Sequence, residues 1–177
     1  MALRDLVKDV HTEAEESPFA RLLMSGKISE AQYAHYLYNQ KDAYQALETR
    51  ADELGILNQI PEIKRSSFIF HDYVSLNIKY PFTIFPSIQE YVGHVKRLNE
   101  HQCWAHIYVR HFGDMFGGNM ISKRIPFGDH TMYRFEDKKG LIEYVRSKLD
   151  DTMEDEAKLV FKYATRLFRE LENVYNL

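Results

Sequence analysis

Two stretches that place apolar or neutral residues at alternating spacings of four and three leave this chain little to do but pack helices. Tyr33, Leu37, Gln40, Tyr44, Leu47, Ala51 and Leu54 form one stripe. Met153, Ala157, Val160, Ala164, Leu167, Leu171 and Val174 form another near the end, flanked by Phe161 and Phe168. A helix with one such face buries it against other helices, so the predicted fold class is all-α, a single-domain bundle over residues 1–177. A chain of 177 residues buries a core of its own without staples.

Local signals place the remaining elements. The first helix is predicted from Ala2 to Glu16, with Leu3, Leu6, Val7 and Val10 inward, and Ser17-Pro18 breaks it. Ser29-Glu-Ala-Gln32 is a capping box and opens the next helix. Pro61 starts a helical stretch from Glu62 to Ile78, which the segment from Tyr80 to Pro86 ends. A long helix carries residues 108–119, Pro126 to Thr131 is a loop, and helices follow over 137–149 and from Thr152 onward.

Lys plus Arg number 23 against 26 Asp plus Glu, a net charge of −3, which gives no general reason to expect nucleic acid or an anionic membrane as partner. No apolar run is long enough to span a bilayer, and Met-Ala-Leu-Arg-Asp-Leu-Val-Lys-Asp at the start is an amphipathic helix rather than a signal peptide. The lone Cys103 rules out an internal disulfide and suits a reducing compartment. A soluble, cytoplasmic monomer is expected.

Chemistry concentrates in Tyr108-Val-Arg-His-Phe-Gly-Asp-Met-Phe-Gly-Gly-Asn119. Each glycine costs a helix interior about 0.8–1 kcal/mol relative to alanine. Gly113 and Gly117 lie one turn apart on one face and Gly118 widens the stripe, so a flat group could rest directly on main chain there. Arg110 stands four residues before Asp114, the spacing of an ion pair that holds the carboxylate in one orientation. A tight helix crossing with a surface Arg–Asp pair explains the same residues.

On the first helix, His11 and Glu15 are also four apart, so the carboxylate can accept the imidazole N–H that a metal does not use. One histidine so oriented suits a heme iron; an isolated surface His–Glu pair is the other reading. Neither His71 nor His94 has a carboxylate or histidine at a helical spacing that suggests a metal site, and both are read as polar-face or core residues. Tyr44 points inward and needs a partner for its phenol.

Together these stretches resemble the heme oxygenase family. His11-Thr-Glu-Ala-Glu15 matches its proximal histidine context, and residues 108–119 match its Tyr-x-Arg-Tyr-Leu-Gly-Asp-Leu-Ser-Gly-Gly-Gln signature. The resemblance covers nearly the whole chain. It implies a bundle with heme between the first, proximal helix and a glycine-kinked distal helix. His11 is then the iron ligand with Glu15 behind it. Arg4 and Arg146 face the propionates, and Tyr108, Gly117 and Gly118 line the heme. Asp114, Arg110, Gly113 and Tyr44 form the catalytic side.

The implied activity is oxidative opening of heme b to biliverdin, of the IX-alpha isomer, with release of iron and carbon monoxide. It uses O2 and electrons from ferredoxin or another reductase. A small acidic ferredoxin docking on Lys123, Arg124 and Lys148 is the expected donor, and a bilin reductase is a candidate downstream partner. Animal members carry a membrane-anchoring tail; this chain stops after its last helical pattern, as soluble bacterial, plant-type or viral members do. The sequence departs from the signature at His111, Phe116 and Asn119, where tyrosine, serine and glutamine are usual. Ile142 stands where a lysine often binds a propionate, and Ala164 where an asparagine often joins the distal network. Phe116 implies a drier distal face. A heme carrier or sensor, a di-iron oxidase and a non-catalytic helical interaction protein are the other readings. The di-iron reading requires Glu-x-x-His pairs, which the chain lacks.

Overall fold

In the computed structural model, which describes residues 1–78 and 81–177, Ser29 starts the first long helix as its spacing requires. Its hydroxyl accepts from the Gln32 N–H at 3.1 Å while the Gln32 side chain accepts from the Ser29 N–H at 2.9 Å. The chain runs α1 (Leu3–Leu6), α2 (Lys8–Glu16), α3 (Pro18–Ser25), α4 (Glu30–Glu53), α5 (Ser66–Val74), α6 (Pro86–Val95), α7 (Glu100–Arg124), α8 (Lys138–Arg146) and α9 (Glu154–Tyr175). No strand occurs among the described residues. Helix α4 packs on α5, α6 and α7, while α9 packs on α2, α3, α6 and α7, so the stripes read from sequence face a common core.

The boundaries differ from expectation in three places, each at a proline or a local break. Val7 leaves helical geometry and divides the predicted first helix into α1 and α2. Ser17-Pro18 ends α2 but also begins α3, because Ser17 caps the Ala20 N–H and proline at the first helical position loses no bond. Pro86 does the same for α6, and the stretch after Pro61 is a short 3₁₀ turn followed by the brief α5. Tyr80, at the head of the segment expected to end that stretch, lies outside the described residues.

Buried polar side chains join the elements. The Asn39 carboxamide accepts from the Phe85 N–H at 2.9 Å and donates to the Thr83 carbonyl at 3.1 Å, holding that connection to α4. Asp72 on α5 accepts from the N–H groups of Thr131 and Met132, which fixes the loop after α7. Arg65 donates to the carbonyls of Glu62, Met132 and Arg134.

Glu48 on α4 is the most heavily engaged of these groups. It accepts from His111 Nε2 at 2.9 Å, from the Arg65 N–H at 2.6 Å and from the Ser66 N–H at 2.9 Å, and so satisfies the start of α5 and the middle of α7 together. Burial raises its pKa, but the His111 bond and charge and the two backbone N–H groups outweigh burial and hold it below its ordinary 4.5. A depressed carboxyl pKa gives stability that is present above the ordinary value and is lost as pH falls through the folded-state value. Glu48→Gln is expected to cost about 2–3 kcal/mol at neutral pH. Urea unfolding checks this: the gap between wild type and variant narrows on acidification to about pH 3, and a gap unchanged there contradicts the role of the ionised form.

Candidate functional site

Helix α7 stays helical through all three glycines, none of which takes positive φ, so the predicted interruption is a bare face rather than a break. Gly113 and Gly117 open onto space: a Cβ on either meets nothing within 4 Å. Gly118 is different. It is buried, and a Cβ there would overlap the Tyr133 ring, so this glycine serves packing and leaves the open stripe to the other two. Tyr108, Phe112 and Phe116 continue along α7 as a ladder of edge-on rings 5.5 Å apart, and Phe116 is 55% exposed beside the glycines.

Behind this face lies the Asp114 carboxyl. The expected ion pair with Arg110 does not form; the Arg110 guanidinium lies 4.0 Å from the centre of the Tyr91 ring and reaches Asp114 only through its charge. Tyr44 takes the positioning role instead, bonding Asp114 Oδ2 directly and donating to the Arg110 carbonyl at 2.8 Å. The inward phenol thus has its partner. Burial raises the Asp114 pKa, against the Tyr44 bond and the charges of His111, Arg110 and Arg65.

The Tyr44 hydroxyl is the donor between two acceptors, Asp114 Oδ2 and the Arg110 carbonyl, and its one proton is shared between them. The negative charge of Asp114 also raises the pKa of Tyr33, Tyr36 and Tyr133 after burial, which places buried phenols around it. His111, one of the departures from the family signature, is buried against Glu48 in the core.

On α2, His11 and Glu15 bond at 2.8 Å, but through Nε2, and the imidazole is 52% exposed. An exposed carboxylate takes the nearest N–H when nothing else claims it, so ligation through Nε2 requires the ring to leave Glu15. The ring meets Phe161 of α9 edge-on at 5.5 Å between centroids. Helices α2 and α7 both pack on α9, which therefore floors the space between them.

Arg4 is well exposed, its nearest acid Asp5 at 3.9 Å, and no ion pair engages Arg146 among the described residues. Burial raises the Tyr108 pKa while the charges of Arg4 and Arg146 lower it, so α1, α7 and α8 bring these three groups into one neighbourhood. Ile142 packs partly buried against the core and adds no charge.

The residues present fit a flat, anionic, iron-bearing ligand. They offer a bare backbone face, a solvent-accessible imidazole, and two cations free to meet carboxylates. This defines a class: an all-helical protein in which a histidine-bearing helix near the N-terminus and a glycine-faced long helix both pack on the last helix. The heme oxygenase family model matches residues 1–170, and the chain belongs to that family. Heme oxygenase 1 of Synechocystis is 27% identical, aligned over 96% of this chain and 83% of its own. The heme oxygenase of Guillardia theta is 26% identical over 98% and 86%. The crystal structure of Synechocystis heme oxygenase-1 in complex with heme superposes with a TM-score of 0.83 at 24% identity, covering 97% of this chain and 90% of that one. Among the described residues no helix is long and apolar enough to cross a membrane.

The glycines separate by substitution. Gly113→Ala and Gly117→Ala are each expected to stabilise the ligand-free protein by about 0.8–1 kcal/mol, the helix propensity they withhold. Gly118→Ala is expected to destabilise by about 1–3 kcal/mol through overpacking against Tyr133. Denaturant midpoints of the three variants measure this, and a loss of stability at Gly117 shows that its face is packed rather than open.

Proposed function

We propose that this protein is a heme oxygenase that opens heme to biliverdin, of the IX-alpha isomer, with release of iron and carbon monoxide. The observation that carries the reading is the open backbone at Gly113 and Gly117 beside the half-buried Asp114, whose carboxyl Tyr44 holds. Bound heme supplies both the redox-active iron and the ring that is cut, with O2 and external electrons as co-substrates.

The protein's part is placement and proton control. His11, released from Glu15, would hold the iron from the α2 side, with Glu15 near to orient the imidazole. Bare backbone at Gly113 and Gly117 would let a flat macrocycle approach α7 closely. Arg4, Tyr108 and Arg146 would hold its carboxylates. Asp114 keeps a proton available at its carboxyl, with Tyr44 fixing its position and Arg110 contributing a buried positive charge.

A carrier or sensor has no use for a proton-holding carboxyl behind its ligand face, which favours turnover. Exposed Lys123, Arg124 and Lys148 offer the docking face for a small acidic ferredoxin, in an aqueous cytoplasmic compartment. A bilin reductase is the natural consumer of the product.

The test is hemin, then reduced ferredoxin or ascorbate in air, followed by absorption. Heme bands should give way to a bilin spectrum; a stable heme spectrum supports a carrier and overturns the reading. With His11→Ala the heme spectrum is expected to change and turnover to collapse, with partial rescue by imidazole, and an unaltered spectrum and rate remove His11 from the mechanism. With Asp114→Ala heme affinity is expected to hold nearly unchanged while turnover falls about 100-fold or more. Full activity in that variant makes Asp114 a structural group only.

A further inference from the structure

Three helices that sequence spacing does not connect, α6, α7 and α9, bring His94, His106 and Glu156 together. His94 Nε2 and His106 Nε2 both lie on one carboxylate oxygen, Glu156 Oε1, at 2.6 and 2.7 Å. The three candidate donor atoms are all within 4.8 Å of one another. His106 is fully buried, while His94 and Glu156 retain 24% and 16% exposure, so the cluster has a closed back and a path to solvent.

We infer that His94, His106 and Glu156 form a binding site for a single divalent first-row transition-metal ion of the Zn2+ or Fe2+ class, separate from the heme slot. Two imidazoles and one carboxylate are the donor set such ions prefer, and three protein ligands leave a position for water on the open side. Metal–ligand distances of about 2.0–2.2 Å place tetrahedral donors about 3.3–3.5 Å apart, so the two close contacts must open by under about 1 Å.

The surroundings fit a ligated imidazole. The Tyr91 hydroxyl lies 2.7 Å from His106 Nδ1. Without metal it donates to Nδ1 and His106 donates from Nε2 to Glu156. With metal on Nε2 the proton sits on Nδ1 and the same hydroxyl accepts it, an outer partner that fixes the tautomer in both states. The Glu156 carboxyl is held below its ordinary range, first by the His106 bond. Arg110, over Tyr91, opposes any cation here, which disfavours Mg2+ and Ca2+ that lack strong imidazole bonds. Nothing in the heme reading uses this cluster. A bound ion ties α6 and α9 to α7 one turn ahead of Arg110.

The experiment is titration of the full-length, heme-free protein with Zn2+ by calorimetry and with Co2+ by visible absorption. One saturable ion per chain is expected, with Zn2+ displacing Co2+ and Mg2+ ineffective. His94→Ala and Glu156→Gln should weaken binding about 100-fold and Tyr91→Phe about tenfold, while His11→Ala leaves it unchanged. Absence of saturable binding, retention of binding in His94→Ala, or its loss in His11→Ala overturns the site. X-ray absorption of the Zn2+-loaded wild type needs no variant: two imidazoles with oxygen donors support the assignment, and any other ligand set overturns it.

Discussion

Everything in this molecule answers to a long helix that has given up side chains on one face. Glycines at 113, 117 and 118 forgo roughly 2–3 kcal/mol of helix propensity, yet α7 holds its geometry from Glu100 to Arg124. It does so because the opposite face is fastened by buried bonds rather than by propensity. His111 is held by Glu48 of α4, the Arg110 carbonyl takes the Tyr44 proton, and Gly118 admits the Tyr133 ring against the backbone. Glu48 matters most, since the oxygens that hold α7 also satisfy the start of α5. The open face at Gly113 and Gly117 is available to a ligand because these contacts keep the helix in place without it.

The same arrangement explains the acid beside that face. A carboxylate paired with Arg110 at one helical turn would be a stable anion, a poor source of protons near neutral pH. Instead the guanidinium is drawn to the Tyr91 ring, and Asp114 is left among phenols, where burial favours its neutral form. Arg110 still contributes through its field, because in a poorly screened interior a charge several ångströms away is felt. Tyr44 fixes the carboxyl without neutralising it, which a phenol can do and a cation cannot.

Much of this was legible in the sequence, and the division follows physical range. The four-three spacings and the Ser29–Gln32 capping box are local, and they predicted α4 and α9 within a few residues. The glycine register was legible for the same reason, as was the His11–Glu15 pair. What spacing does not carry is the partner from another element. Nothing within a turn of Gly118 announces Tyr133, nor does helical spacing connect Glu48 to His111. His94, read as a polar-face or core residue, meets His106 and Glu156 only because α6, α7 and α9 converge. The recurrence of Tyr33, Tyr36 and Tyr44 along α4 was the one available signal of the phenols around Asp114.

The Arg110–Asp114 expectation failed for an instructive reason. At four-residue spacing on an isolated helix, charge attraction between exposed groups is weak, a few tenths of a kcal/mol. Inside a bundle, a guanidinium that reaches an aromatic face is desolvated against it and gains about 2 kcal/mol, which outcompetes the local pair. Arg110 therefore settles between the Asp114 region and the His94–His106–Glu156 cluster, over the ring whose hydroxyl serves His106. That position couples the two regions electrostatically: its charge opposes a proton on His106 and favours the ionised form of Asp114, in each case as a contribution smaller than burial. One buried cation thus biases protonation on both sides of α7, and moving it toward either would alter the other.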